Sequence, residues 1–137
     1  MNYTNTFIAV SPDTKAKAGV APPMRAGKPS IAQLEYELLA AQPYQHTQEE
    51  VQFAVHVQRL GLTPAQLKTQ RKKLWAEFFS KPIACMRTSP LARTYGWGLH
   101  FNGEGKVALV AMESADYRKL AKSKSVLQTC GMRSTRA

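Results

Sequence analysis

The sequence predicts an α+β domain: a small antiparallel sheet, made of an N-terminal strand and a hairpin over 95–112, packed against three to four helices. Three observations predict it. Residues 95–101, YGWGLHF, alternate strictly and run into Asn102-Gly103, the strongest short hairpin signal. Residues 30–79 hold three stretches with apolar side chains at helical spacing, each opened by a Ser or Thr cap. Helices and strands do not alternate along the chain, which argues against a doubly wound parallel sheet.

The elements follow in order. Tyr3 to Val10 is rich in β-branched and aromatic residues, stops at Ser11-Pro12, and reads as a strand. Residues 11–29 hold four prolines and two glycines and read as an extended loop. Ser30 and Gln33 have capping-box spacing, and Ile31, Leu34, Leu38 and Leu39 form the stripe of a helix ending near Gln42-Pro43. Thr47 with Glu50 opens a second helix, striped by Phe53, Val57 and Leu60 and closed by Gly61. Thr63-Pro64 opens a third, with Leu67, Leu74, Trp75 and Phe78 on one face. Residues 80–94 have no clean period and read as an irregular connector.

The hairpin follows. Asn102-Gly103 suits a two-residue type I′ turn, and Lys106 to Met112 is the return strand. Ser114 caps a short helix to about Lys122. The domain therefore reads as residues 1–122, followed by a basic, flexible tail over 123–137.

Composition narrows the functional classes. The 137 residues carry a net charge of +10, all of it in the second half. Residues 1–67 hold five basic and five acidic side chains, whereas 68–137 hold fourteen and four. Such asymmetry points to an anionic partner. Two cysteines are too few for a disulfide scaffold or a four-thiolate zinc site. No apolar run approaches the ~18 residues that span a bilayer, and the first ten residues lack a signal-peptide pattern. A cytosolic protein without a membrane partner is the expectation.

Several blocks, NYTNTFI, PYQHTQEEV, FFSKP, SPLARTYGWGLHF at 89–101, GKVAL and ESADY, resemble a family of small bacterial proteins known only as a domain of unknown function. The resemblance spans nearly the whole chain. It implies a single domain and carries over no activity, cofactor or catalytic residue.

The site must therefore be read from the residues. On the 95–101 strand, Tyr95, Trp97, Leu99 and Phe101 point one way and Gly96, Gly98 and His100 the other. Missing side chains at Gly96 and Gly98 permit close approach by a ligand or another backbone. Counting through a two-residue turn puts Val107, Leu109 and Ala111 on that glycine face. The leading expectation is a non-enzymatic binding module for a small anionic ligand or acidic partner. Lys81, Arg87 and Arg93 would supply the charge, with Tyr95, Gly96, Trp97, Gly98 and His100 as floor and wall.

Two alternatives stand beside it. Cys85, set among those cations, and His100 could act as nucleophile and base in a small enzyme. Lys68, Arg71 and Lys72 on the third helix, Arg118 and Lys122 on the last, and the tail could contact phosphates of nucleic acid without sequence preference. A solvated face is the commoner meaning of such runs, so nucleic acid is not the favoured partner. Glu35 and Arg71 fall within the apolar arcs of their helices, which suggests a paired or pocket-lining polar couple. His46, His56 and His100 lack ligand spacing, and no phosphate-loop motif occurs, so neither a metal nor a cofactor is expected.

Overall fold

The computed structural model describes residues 2–24 and 27–134. Its centre is β1 (Thr6–Ala9), whose first three residues are buried on both faces. Such a strand can sit only between two neighbours. One is β2 (Trp97–Phe101), antiparallel, with Phe7 opposite His100 and Ile8 opposite Leu99. The other is β4 (Leu127–Cys130), parallel, with Thr6 opposite Leu127 and Ala9 opposite Cys130. With β3 (Val107–Ala111) beyond β2, the sheet order is β3-β2-β1-β4. The sheet is mixed and mostly antiparallel, and the fold is α+β.

The fourth strand corrects the reading of 123–137 as a flexible tail over 127–130. Leu127 N–H donates to Asn5 O at 2.7 Å, and Gly131 N–H donates to Ala9 O at 2.8 Å. The strand is short and its first two residues are exposed, so its sequence carries no alternating apolar signal. Residues 135–137 lie outside the described residues.

The hairpin also differs from expectation. Asn102 Oδ1 accepts from Glu104 N–H at 3.0 Å and Lys106 N–H at 2.9 Å. Gly105 takes φ +78° and donates to Asn102 O. The loop thus holds three residues, Gly103 to Gly105, closed by an Asx turn and a left-handed glycine. One extra residue turns the return strand over. Val107, Leu109 and Ala111 stand opposite Phe101, Leu99 and Trp97, while Ala108 and Val110 share the face of His100 and Gly98.

The two faces are covered differently. On one lie α1 (Ile31–Ala41), α2 (Gln48–Leu60) and the short α4 (Pro90–Arg93). They build the core from Leu39, Val51, Leu91 and Ala92 against Ile8, Leu99, Phe101 and Val107. Capping works as the sequence predicts: Ser30, Thr47 and Thr63 accept from their helices, and Gly61 adopts φ +71°. The third helix, α3 (Pro64–Phe78), buries no residue fully. It leans on α2 through Trp75 against Phe53 and Phe78 against His56. The 80–94 connector is more regular than expected, since a 3₁₀ turn at Met86–Thr88 precedes α4.

On the other face lies α5 (Ala115–Lys122). Its Tyr117 ring meets Phe7 edge-on at 5.1 Å, and the phenol oxygen accepts from Val10 N–H at 3.0 Å. Gly98 is what lets these rings close over the sheet. A Cβ there would sit 2.8 Å from Phe7 Cε1 and 3.0 Å from Tyr117 Cε2. Gly98→Ala is therefore expected to destabilise the fold by about 1–3 kcal/mol through overpacking. Gly103→Ala, whose nearest neighbour would be 3.5 Å away, should stay within about 0.5 kcal/mol of the parent. Urea unfolding midpoints of the two variants check the difference.

Candidate functional site

A concavity with an apolar lining lies between helices, away from the glycine strand. A pocket of about 390 Å³ is bounded by α1, α2, the end of α3 and the connector. Ile31, Val55, Leu60, Phe78 and Ile83 give it an apolar lining. Lys28 and Arg59 are exposed cations on its wall, and Gln52, His56 and Thr88 complete the polar part with Glu35.

Each element contributes for a local reason. Gln52, His56 and Arg59, at i, i+4 and i+7, share one side of α2. Gln48 and Gln52 fasten the connector to that helix. Gln48 Oε1 accepts from Met86 N–H at 2.7 Å, and Gln52 Nε2 donates to Ala84 O at 2.7 Å. His56 is stacked on Phe78, with ring centroids 4.4 Å apart.

Glu35 is the unusual member. It is 6% exposed, and its Oε1 accepts from Ser89 Oγ at 2.7 Å. Ser89 also caps α4, accepting from Leu91 N–H at 3.2 Å. Loss of water around the carboxyl pushes its pKa up to about 7, against the smaller opposing effect of the Ser89 hydrogen bond. A carboxyl poised near neutrality in a concave wall is the kind of group found at binding and catalytic sites.

The Glu35–Arg71 couple expected from the sequence is not formed. Glu35 is bonded to Ser89, while the Arg71 guanidinium lies over the Phe53 ring at 5.2 Å, on another side of α2. An aromatic face partners Arg71 on the apolar side of its helix without burying the charge.

The glycine floor is filled. Gly98 receives Phe7 and Tyr117, and Gly96, at φ +80°, receives the Ala18 carbonyl from the 11–29 loop. The same loop meets Tyr95 and Trp97: Val20 N–H donates to Tyr95 O at 2.9 Å, and Trp97 Nε1 donates to Val20 O at 2.8 Å. The three connector cations have separate surroundings. Lys81 is exposed, Arg87 Nε donates to Cys130 O at 2.7 Å, and Arg93 Nε is buried with no partner among the described residues.

Cys85 and His100 are also apart. The Tyr3 phenol is pushed up to about 12, first by burial and then by its contact with Cys85. Tyr3 packs on Phe101, and His100, the preceding residue on β2, points to the opposite face of the sheet. There His100 Nδ1 meets Tyr44 Oη at 2.8 Å in a second cleft of about 630 Å³ beside α5. Burial lowers the His100 pKa. Among the described residues no group of three or more His, Cys, Asp or Glu could hold a metal ion.

One family model matches the chain from residue 1 to residue 137. The chain belongs to that family, described as a family of unknown function (DUF6157). In this DUF6157 chain, the 89–101 block behind the sequence resemblance supplies Ser89, α4 and β2. No curated protein and no solved structure matches it.

Sequence reasoning singled out Glu35 and missed Lys28, Gln52, Arg59 and Ser89. The i, i+4, i+7 spacing on α2 was the available signal, and it gains meaning only once that side is known to face α1.

The Glu35 shift gives a pH dependence with a definite sign. Below pH 4.5 the folded and unfolded chains both hold this proton. Between 4.5 and about 7 only the folded chain does. Unfolding then releases a proton, so stability falls as pH rises through that window and levels off above it. The loss is on the order of 3 kcal/mol, at 1.36 kcal/mol per unit. Glu35→Gln should remove this contribution. Urea unfolding at pH 5, 6, 7 and 8 measures it, and parallel profiles for parent and variant would refute the assignment.

Proposed function

We propose that the protein is a non-enzymatic binding module for a small amphipathic anion, held in the pocket between α1 and α2. One observation carries the reading: a single concavity joins an apolar lining to two exposed cations, Lys28 and Arg59, and a buried carboxyl. Its volume lies within the ~300–1,000 Å³ range of small-molecule sites, and an apolar wall with few polar groups is their usual make-up. The anionic ligand read from the charge asymmetry is kept, and its site moves from the connector cations to Lys28 and Arg59. The separation of Cys85 from His100 supports a binder over a Cys/His enzyme. A cytosolic setting fits the two cysteines, which are free thiols. Among the described residues no helix is long and apolar enough to cross a membrane.

Octyl sulfate, with one charge and an apolar tail, serves as a test ligand in calorimetric titration. Arg59→Glu should weaken its binding at least tenfold, about 1.4 kcal/mol. Lys119→Glu, in the second cleft, should leave binding unchanged. Equal effects of the two substitutions would place the ligand elsewhere, and undetectable binding to the parent would remove the reading.

A further inference from the structure

We propose that the ligand of this pocket is a monocarboxylic acid with an apolar body, bound together with one proton shared between its carboxylate and the Glu35 carboxyl. The inference rests on the anion-binding reading of the pocket and names the ligand class.

The wall has few neutral donors left for an anion. Thr88 Oγ1 donates to Cys85 O at 2.8 Å, the Gln52 amide donates to Ala84 O, and the Ser89 hydroxyl donates to Glu35. What remains is the second Gln52 N–H, the pair of cations, Lys28 and Arg59, the His56 imidazole on Phe78, and the Glu35 carboxyl. A second carboxylate beside an ionised Glu35 would be repelled. With one proton between them, the two form an O–H···O⁻ bond of the short, charge-assisted kind. A carboxylate suits this role because its basicity matches that of Glu35. A sulfate ester carries the same charge but is far too weak a base to share the proton.

The groups around Glu35 set the direction of proton flow. In the empty pocket burial favours the neutral Glu35 carboxyl and the Ser89 hydrogen bond opposes it, while Lys28 from the loop before α1 and Arg59 from α2 stand exposed on the same wall. His56 faces the same space from α2, Phe78 reaches it from α3, and the connector offers Thr88 and Ser89. A bound carboxylate takes over the cations and leaves Glu35 facing a negative charge. Glu35 then draws a proton from solvent, and no other bond is made or broken.

Titration calorimetry of the full chain at pH 8 with sodium octanoate tests this, run in phosphate and in Tris buffer. Their different ionisation enthalpies expose any proton uptake. About one proton should enter per octanoate bound, and affinity should fall roughly tenfold per pH unit above the Glu35 pKa. Octyl sulfate, which repels ionised Glu35 but cannot share its proton, should bind with a smaller uptake and a shallower fall with pH. Glu35→Gln should abolish the octanoate uptake while still binding octyl sulfate, and Lys119→Glu, in the second cleft, should keep the uptake.

Octanoate binding without proton uptake, or unchanged uptake in Glu35→Gln, overturns the proposal while octyl sulfate binding leaves the pocket reading standing. Failure of both ligands to bind the parent overturns both.

Discussion

A carboxyl group packed inside the protein, with one serine hydroxyl as its partner, is the constraint around which the helical layer is arranged. Glu35 costs free energy to bury, and the cost is contained only where a donor meets it. Ser89 supplies that donor and also caps α4, so a single hydroxyl fixes a helix start and a buried acid. From α4 the ties run outward. Ala92 O accepts from Ser11 N–H at 2.9 Å, and the Ala92 side chain lies against Gly131 just after β4. The connector that reads as irregular in sequence thus joins α1 to the segments that follow β1 and β4.

The sheet divides the molecule into parts with different tasks. Its α5 face is closed by Phe7 and Tyr117 over Gly98, which makes that glycine a packing residue. Its other face carries the main core, and the pocket lies beyond it, between the helices that cover it. The positive charge follows neither division. Arg87 secures β4, Arg71 rests on Phe53, and Lys28 and Arg59, both from the electrically neutral half of the sequence, line the pocket. Net charge was a poor guide to the site because charge serves solubility and local fastening as well as binding.

Most of the fold was legible because its signals are local. The caps at Ser30, Thr47 and Thr63 and the left-handed Gly61 are set by neighbouring residues, and each was readable. Features that depend on partners distant in sequence were not. β4 has no pattern of its own and exists because β1 offers it a free edge. The hairpin register turned on one residue: Asn102-Gly103 suggested a two-residue turn, and Gly105, two positions later, made it three. That residue exchanged the faces of β3 and, with them, the supposed lining of the glycine groove. Glu35 was legible as an apolar-arc charge, but its partner was chosen by helical period alone, which cannot see Ser89 arriving from the connector.

The proton on Glu35 is the point at which fold, pocket and ligand meet, and it can be observed directly. Carbon NMR of glutamate-labelled protein, with Glu35→Gln to assign the signal, follows the Glu35 Cδ resonance through a pH titration, with and without octanoate. The expected result is a midpoint near 7 in the empty protein, moving higher when octanoate is bound. A Glu35 midpoint near 4.5, unmoved by octanoate, would contradict the account.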